Sequence, residues 1–269
     1  MLAILIIILA LTCVFLIMIR CRSGHPKLQA LRGWSYAHRG LHGEGVPENS
    51  MEAFRRAKEA GFGIELDVHL MADENLAVIH DASLKRTAGA DVFIEDLITS
   101  DLQDYCLEGT EERIPEFSQV LELLAGDAPL IIELKAERGN CAALCETVCK
   151  ALDFYSGVFC IESFDPRCIA WLKKHRPELI RGQLAENYFA TPKSKLPWYL
   201  KLTLAGHMMN FLTVPDFISY RFSDRRFFGN VLCRRLWGAQ GVTWTIKTKR
   251  DYDTAVAEGW IPIFEGFLP

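Results

Sequence analysis

Gly63-Ile64-Glu65-Leu66-Asp67-Val68-His69-Leu70 reads as a β-strand whose two faces differ in chemistry. Side chains alternate at period two, so Glu65, Asp67 and His69 share one face, while Leu66, Val68 and Leu70 share the other. Burying two carboxylates on one strand face without compensation is costly. The strand therefore belongs in a fold that gathers polar groups at strand ends and packs apolar residues elsewhere.

Outward from this octet, strand-like runs alternate with helical ones. Trp34 to His38 precedes it, followed by a helix over Glu52 to Ala60 that starts near Asn49 or Ser50 and stops at Gly61. Leu76 to His80 follows too closely for a parallel crossover, so it reads as a hairpin extension. Six further strands are expected at Pro129 to Lys135, Gly157 to Glu162, Ile180 to Leu184, Asp216 to Tyr220, Val242 to Ile246 and Ile261 to Phe264. Helical periodicity marks Phe117 to Leu124, Ala142 to Leu152, Arg167 to Lys174, Asp224 to Ala239 and Asp251 to Glu258. With the hairpin strand set aside, eight strands remain, which favours an α/β fold of the TIM (β/α)₈ barrel type over residues 34–269. A doubly wound open sheet is the alternative, without a glycine-rich dinucleotide turn after its first strand.

Residues 1–19 carry no charged side chain and one hydroxyl, Thr12. At 1.5 Å per residue such a helix approaches the roughly 30 Å of bilayer hydrocarbon, so one N-terminal transmembrane helix is expected. A cleaved signal peptide and a buried helix are the rivals; no clear basic start or cleavage site favours the former. Arg20, Arg22, Lys27 and Arg32 lie on its C-terminal flank in a basic juxtamembrane linker, residues 20–33. The positive-inside rule then puts the main domain in the cytoplasm, the chain being single-pass in the cell membrane. Residues 44–269 hold 34 acidic against 25 basic side chains, an unsuitable charge for general nucleic-acid binding. Nine cysteines without CxxC spacing show no disulfide framework or zinc knuckle. Nothing in the sequence identifies an obligate protein partner.

The chemistry-bearing residues recur at strand ends. Ile131-Ile132-Glu133-Leu134-Lys135 repeats the pattern of the octet, with Glu133 and Lys135 on one face. Glu65, Asp67 and Glu133 are candidate ligands of one divalent cation, and hard oxygen donors suit Mg²⁺ or Ca²⁺, with Mn²⁺ also possible. The competing reading is an internal salt-bridge network among these acids, Lys135 and Arg39. A carboxylate pair also suits glycoside hydrolysis, which leaves the histidines without a task. His38 and Arg39 end the first strand, and His80 and Asp81 end the hairpin strand. Two imidazoles can serve opposite proton transfers, while Arg39 and Lys135 can clamp a phosphate and Asp81 can orient His80. His69 and His42 are candidates for the outer mouth; His25, His175 and His207 read as structural or exposed.

The ordered series His38-Arg39-Gly40, Pro47-Glu48-Asn49-Ser50, Glu65-Leu66-Asp67-Val68, His80-Asp81, Ile132-Glu133-Leu134-Lys135, Ser163-Phe164 and Trp244-Thr245 resembles the glycerophosphodiester phosphodiesterase family, across residues 34–264. The resemblance implies a TIM barrel that hydrolyses glycerophosphodiesters to glycerol 3-phosphate and an alcohol. It implies metal binding by Glu65, Asp67 and Glu133, acid–base catalysis by His38 and His80, and phosphate contacts from Arg39 and Lys135. Glu48, Asn49, Asp81, Trp244 and Lys247 match supporting or rim positions. Lys247 stands where the family has Asn after Trp-Thr, Glu265 where it has Asp, Met71 where it has Thr and Glu74 where it has Gly. Little chain follows the last strand, so the linker before Trp34 is a candidate to cover the barrel's bottom or side.

Residues 197–237 are rich in rings, including Trp198-Tyr199, Phe211, Phe227-Phe228 and Trp237. They read either as helix packing with a loop cap or as a lipid-facing rim, with Lys193, Lys195 and Lys201 favouring an anionic surface. Three functions are therefore weighed: a metal-dependent phosphodiesterase, a related phospholipase-type enzyme acting on lysophospholipid-like head groups, and a non-catalytic membrane-attached binding module.

Overall fold

The computed structural model describes residues 1–191 and 195–269. Lys193, assigned above to an anionic surface, lies outside the described residues. Among those described, nine strands form one sheet: β1 (Tyr36–His38), β2 (Gly63–Leu70), β3 (Leu76–Val78), β4 (Leu130–Leu134), β5 (Phe159–Ser163), β6 (Arg181–Ala185), β7 (Phe217–Arg221), β8 (Gln240–Ile246) and β9 (Trp260–Phe264). Eight run parallel and close, because β1 pairs with both β2 and β9. β3 pairs antiparallel with β2 outside that ring. The TIM-like barrel with a hairpin extension is therefore present, the strand limits differing from the sequence-based ones by a few residues.

The helices are α1 (Leu2–Met18), α2 (Met51–Glu59), α3 (Phe117–Leu124), α4 (Cys141–Leu152), α5 (Pro166–His175), α6 (Trp198–Ala205), α7 (Asn210–Thr213), α8 (Phe228–Trp237) and α9 (Lys249–Ala257). Local chemistry sets their limits. The Ser50 hydroxyl accepts from Ala53 N–H at the start of α2, and Asp165 caps α5 just before Pro166 at its first position. Gly40, at φ +80°, is obligatory after β1. A Cβ there would sit 2.8 Å from Ala53 backbone and side-chain carbon in α2. α6 and α7 fall in the ring-rich stretch where periodicity marked no separate helix, and α8 starts four residues later than expected.

Two apolar layers separate structure from chemistry. Outward-facing residues such as Leu66, Val68, Ile132 and Ile161 pack against α2–α5, while Tyr36, Ile131, Cys160, Phe217, Val242 and Ile261 fill the barrel's lower interior. Leu28 and Leu31, from a 3-10 turn over Pro26–Leu31, join that interior cluster. The linker expected to cover the barrel's bottom or side therefore lies against its lower interior as a plug. Arg22 fastens it, pairing with the buried Asp216 carboxylate at 2.5 Å and donating to the carbonyls of Pro177 and Leu179. Arg32 donates to Gln240. Met71 of the hairpin turn joins Ile79, Leu84, Ile94, Leu102 and Ile114, from the chain between β3 and α3, in a satellite core beneath the hairpin.

The expected transmembrane span needs correction. Among the described residues, no helix is long and apolar enough to cross a membrane. α1 has 17 residues, about 26 Å at 1.5 Å per residue. Its end is fixed by packing: Ile19 and Cys21 are buried with Ile218 and Cys233, so the chain is drawn onto the barrel before residue 19 can extend the helix.

Candidate active site

Strand register assembles the site. His38 on β1 stands beside Glu65 on β2, Asp67 beside Glu133 on β4, and Glu133 beside Glu162 on β5. All four acids are buried. Glu65, Asp67 and Glu133 each offer a carboxylate oxygen within 4.8 Å of the others. Residues from six separate motifs along the chain, with Glu162, are neighbours around one mouth, where His38, Arg39, Glu65, His80, Glu133, Glu162, Phe164 and Trp244 line a common cavity.

Asp67 is the most heavily contacted acid. Lys135 Nζ lies 3.0 Å from its Oδ1, the Asn49 amide donates to its Oδ2 at 2.8 Å, and Arg39 Nε stands 3.4 Å away. Burial opposes its ionisation, but Lys135, His80 and Arg39 together hold its carboxyl far below the usual range. Lys135 also pairs with Glu133 at 2.6 Å. Glu65 receives the Arg39 main-chain N–H at 3.1 Å. Burial first, then repulsion from Asp67 and Glu133, pushes its carboxyl well above the ordinary value. Arg39 and Asn49 both hold backbone φ of +54°, which turns the β1–α2 loop so that both reach Asp67.

Each catalytic-candidate imidazole carries a carboxylate at Nδ1. His38 Nδ1 lies 2.6 Å from Glu265 Oε2, and its Nε2 lies 3.9 Å from Glu65. His80 Nδ1 lies 2.6 Å from Asp81 Oδ1. Burial lowers both imidazoles, His80 to about 4, so both are neutral at pH 7. Behind them the carboxylates are themselves tied. Lys247 pairs with Glu265 at 2.9 Å, and Arg86 bridges Asp81 and Glu48, each at 2.5 Å. Glu48 also accepts from Arg39.

His69 departs from the expected mouth. It is buried, with Nδ1 2.7 Å from Glu95 and Nε2 3.2 Å from the His80 carbonyl, so it supports the hairpin end instead of meeting the acids. His42 does reach the mouth, grouped with His38 and Glu265. His25 touches the Glu178 carbonyl and His207 is buried against Asn230, both away from the site. Trp244 packs edge-on against Phe164, with the Arg221 guanidinium over its ring.

Sequence reasoning missed Glu162, Arg86 and Glu265 as members of the site. Glu162 had a signal: a lone acid in the apolar run Phe159-Cys160-Ile161-Glu162 repeats the Glu133 pattern. Glu265 was noted only as a departure, because nothing local ties the last strand to the first before the barrel closes. Arg86 lies on the loop after the hairpin, without periodicity to place it.

The glycerophosphoryl diester phosphodiesterase family model matches residues 38–263, most of the chain. The chain belongs to this family. A glycerophosphodiester phosphodiesterase of Caldanaerobacter subterraneus subsp. tengcongensis is 29% identical over 237 residues, covering 83% of this chain and 89% of that protein. Lysophospholipase D GDPD1 of Rattus norvegicus is 38% identical over 112 residues, only 37% of this chain and 35% of its own. Among solved structures, an Oleispira antarctica phosphodiesterase in complex with sn-glycerol-3-phosphate superposes with a TM-score of 0.71 at 22% identity, covering 88% of this chain and 94% of that one. A glycerophosphodiester phosphodiesterase from Thermotoga maritima gives a TM-score of 0.67 at 23% identity, covering 87% and 95%. These structural likenesses show the same fold over most of the chain.

The acid cluster suits the divalent cation that the family generally uses. Glu65, Asp67, Glu133 and Glu162 bring four carboxyl groups together, and Arg39 and Lys135 supply two positive charges. Glu162 Oε2 is buried without a hydrogen-bond partner among the described residues. The ion pairs of the competing reading are therefore real but leave negative charge uncompensated, which a hard dication satisfies.

Proposed function

We propose that this chain hydrolyses glycerophosphodiesters to glycerol 3-phosphate and an alcohol, dependent on one divalent cation. The convergence of two carboxylate-backed imidazoles on a buried three-acid cluster carries the reading. Glu65, Asp67 and Glu133 hold the cation, Mg²⁺, Ca²⁺ or Mn²⁺. When bound, it polarises the phosphodiester and offsets charge at phosphorus.

The chain's own groups do the remaining work. Arg39 and Lys135 attract and orient the phosphate oxygens. His38 takes the proton of the nucleophile at Nε2, and Glu265 steadies the resulting imidazolium at Nδ1. His80 delivers a proton to the leaving alkoxide. Glu265 suits the first role because it lies nearer His38 than Lys247, at 2.6 against 2.9 Å, whereas Asp81 is shared evenly between His80 and Arg86. The nucleophile is water or a neighbouring glycerol hydroxyl that first closes a cyclic phosphate; product analysis in labelled water separates these routes. Phe164 and Trp244 form the apolar wall on the alcohol side, with Lys247 and Glu48 at the rim.

A panel of soluble glycerophosphodiesters, assayed with chelator and then with each added cation, tests the proposal. Release of glycerol 3-phosphate only with cation supports it; near-native turnover by both His38→Ala and His80→Ala would sink it. Residues 34–269 act in this reading as one catalytic unit.

A lysophospholipid-like substrate is the second reading, favoured by an exposed apolar surface: Phe189, Trp198, Tyr199, Phe211 and Leu212 all face solvent, Trp198 at 70%. The same surface, and α1 with exposed apolar side chains along most of its length, supports seating of the chain in the cell membrane, and the basic residues that follow α1 favour a barrel on the cytoplasmic side. Fractionation of a chain lacking residues 2–18, with protease accessibility in sealed vesicles, tests attachment and side together.

A further inference from the structure

Three cysteines that look scattered in sequence meet in space. Cys141 opens α4, Cys145 lies one turn later, and Cys168 sits in the first turn of α5. Their sulfurs all lie within 4.8 Å of one another, and Cys141 Sγ and Cys168 Sγ are 2.9 Å apart. That gap is wider than the roughly 2.05 Å of a disulfide. It is also closer than the about 3.5–4.0 Å at which non-bonded heavy atoms rest. Two sulfurs each about 2.3 Å from a tetrahedral zinc stand about 3.8 Å apart, within the span of the cluster.

The surroundings favour the charged form of one sulfur, Cys141, whose hydrogen bonds push the Cys145 and Cys168 thiols up. The N-termini of α4 and α5 converge here, and their unpaired N–H groups and dipoles stabilise a thiolate. Hydrogen bonds from Cys145 and then Cys168 lower the Cys141 thiol to about 4. Cys145 and Cys168 are fully buried among Leu144, Ile169 and Leu172, while Cys141 keeps 8% exposure as a route in.

We propose that Cys141, Cys145 and Cys168 bind one thiophilic divalent cation of the zinc and cadmium class, with the fourth position open to solvent beside Cys141. Binding exchanges the thiol protons for the metal, so each thiol that is protonated beforehand releases one proton. The cation differs in kind from the hard one expected among Glu65, Asp67 and Glu133, because thiolates select soft metals and carboxylates do not. It would clip together the two helices that follow β4 and β5, the strands carrying Glu133 and Glu162.

Cadmium alone is the probe, titrated into the reduced full chain with excess Mg²⁺ present. A thiolate-to-cadmium absorption band saturating at one equivalent is expected, with partly accessible Cys141 protected from alkylation while exposed Cys106 still reacts. Cys145→Ser and Cys168→Ser should each weaken the apparent affinity at least tenfold, and Glu65→Gln should leave the band unchanged. The proposal is overturned if no band forms, if Cys141 stays as reactive as before, or if the Cys141→Ser/Cys168→Ser double variant keeps the full band. Should those variants fail to fold, the protection map of the unaltered chain decides alone.

Discussion

Glu265 Oε2 stands 2.6 Å from His38 Nδ1, joining the end of the last barrel strand to the end of the first. A carboxylate in that position fixes the tautomer, leaving Nε2 free to face the acids. Removing it should harm catalysis in a way that a pH profile can read. In Glu265→Gln the imidazole loses its anionic partner, so the His38 value falls further. If His38 must be neutral to accept a proton, the acidic limb of kcat/KM moves to lower pH. The plateau should drop by about 10²-fold, since acid–base assistance as a whole is worth 10²–10⁴. An unshifted limb would show that His38 is not the base.

Leaving-group chemistry separates the two histidines. His80→Ala should lose about 10²–10⁴ in rate with alkyl esters. It should recover most of that loss with an activated phenolic ester, which needs no proton. His38→Ala should stay impaired with both. Equal rescue of the two variants, measured as kcat/KM, contradicts the assignment.

Glu65 offers a test in which stability and activity move oppositely. Its carboxyl value is raised in the folded chain by burial and by its acidic neighbours. Its contribution to cation-free stability is therefore fully present below the ordinary value near 4.5 and lost as pH rises through the raised folded value. Glu65→Gln should raise the cation-free Tm at pH 8 by about 2–4 °C, the shift that about 1 kcal/mol produces in a domain of this size. It should also abolish turnover. Added Mg²⁺ or Ca²⁺ should raise the Tm of the unaltered chain more at pH 8 than at pH 5; calorimetry reads both.

Arg22 carries the plug. Its guanidinium meets the buried Asp216 carboxylate through two hydrogen bonds, so Arg22→Ala strands a charge. Denaturant unfolding should show a loss of about 3 kcal/mol. Arg22→Ala with Asp216→Asn should recover part of it, and a loss below about 0.5 kcal/mol would mean that the plug is not held there.

The barrel was legible because alternation exposes strands, and because Met71 to Asn75 is too short to cross over. The acids and histidines were legible because each sits at the end of an apolar run, where a charged side chain needs a reason. Glu265 and Arg86 were not: their partners lie 227 and 38 residues away, and only barrel closure and the hairpin fold bring them together. His69 misled because period two gives the face of a side chain but not its reach. At the strand's end the ring swings to Glu95. Residues 20–33 were legible as a cover for the barrel, because little chain follows the last strand, but not as an apolar plug, since their basic side chains hide Leu28 and Leu31. The cysteine cluster was invisible because its two helices meet only through the packing of α4 on α5.

The seam formed by Ile19, Cys21, Arg22, Leu28 and Leu31 leaves no slack between α1 and the barrel. Any surface that captures that helix also sets the tilt and height of the catalytic opening, as a bracket does and a leash does not. Access would then be governed by which molecules arrive at one fixed station, and lengthening the seam with a few glycines would be the simplest way to let the opening wander.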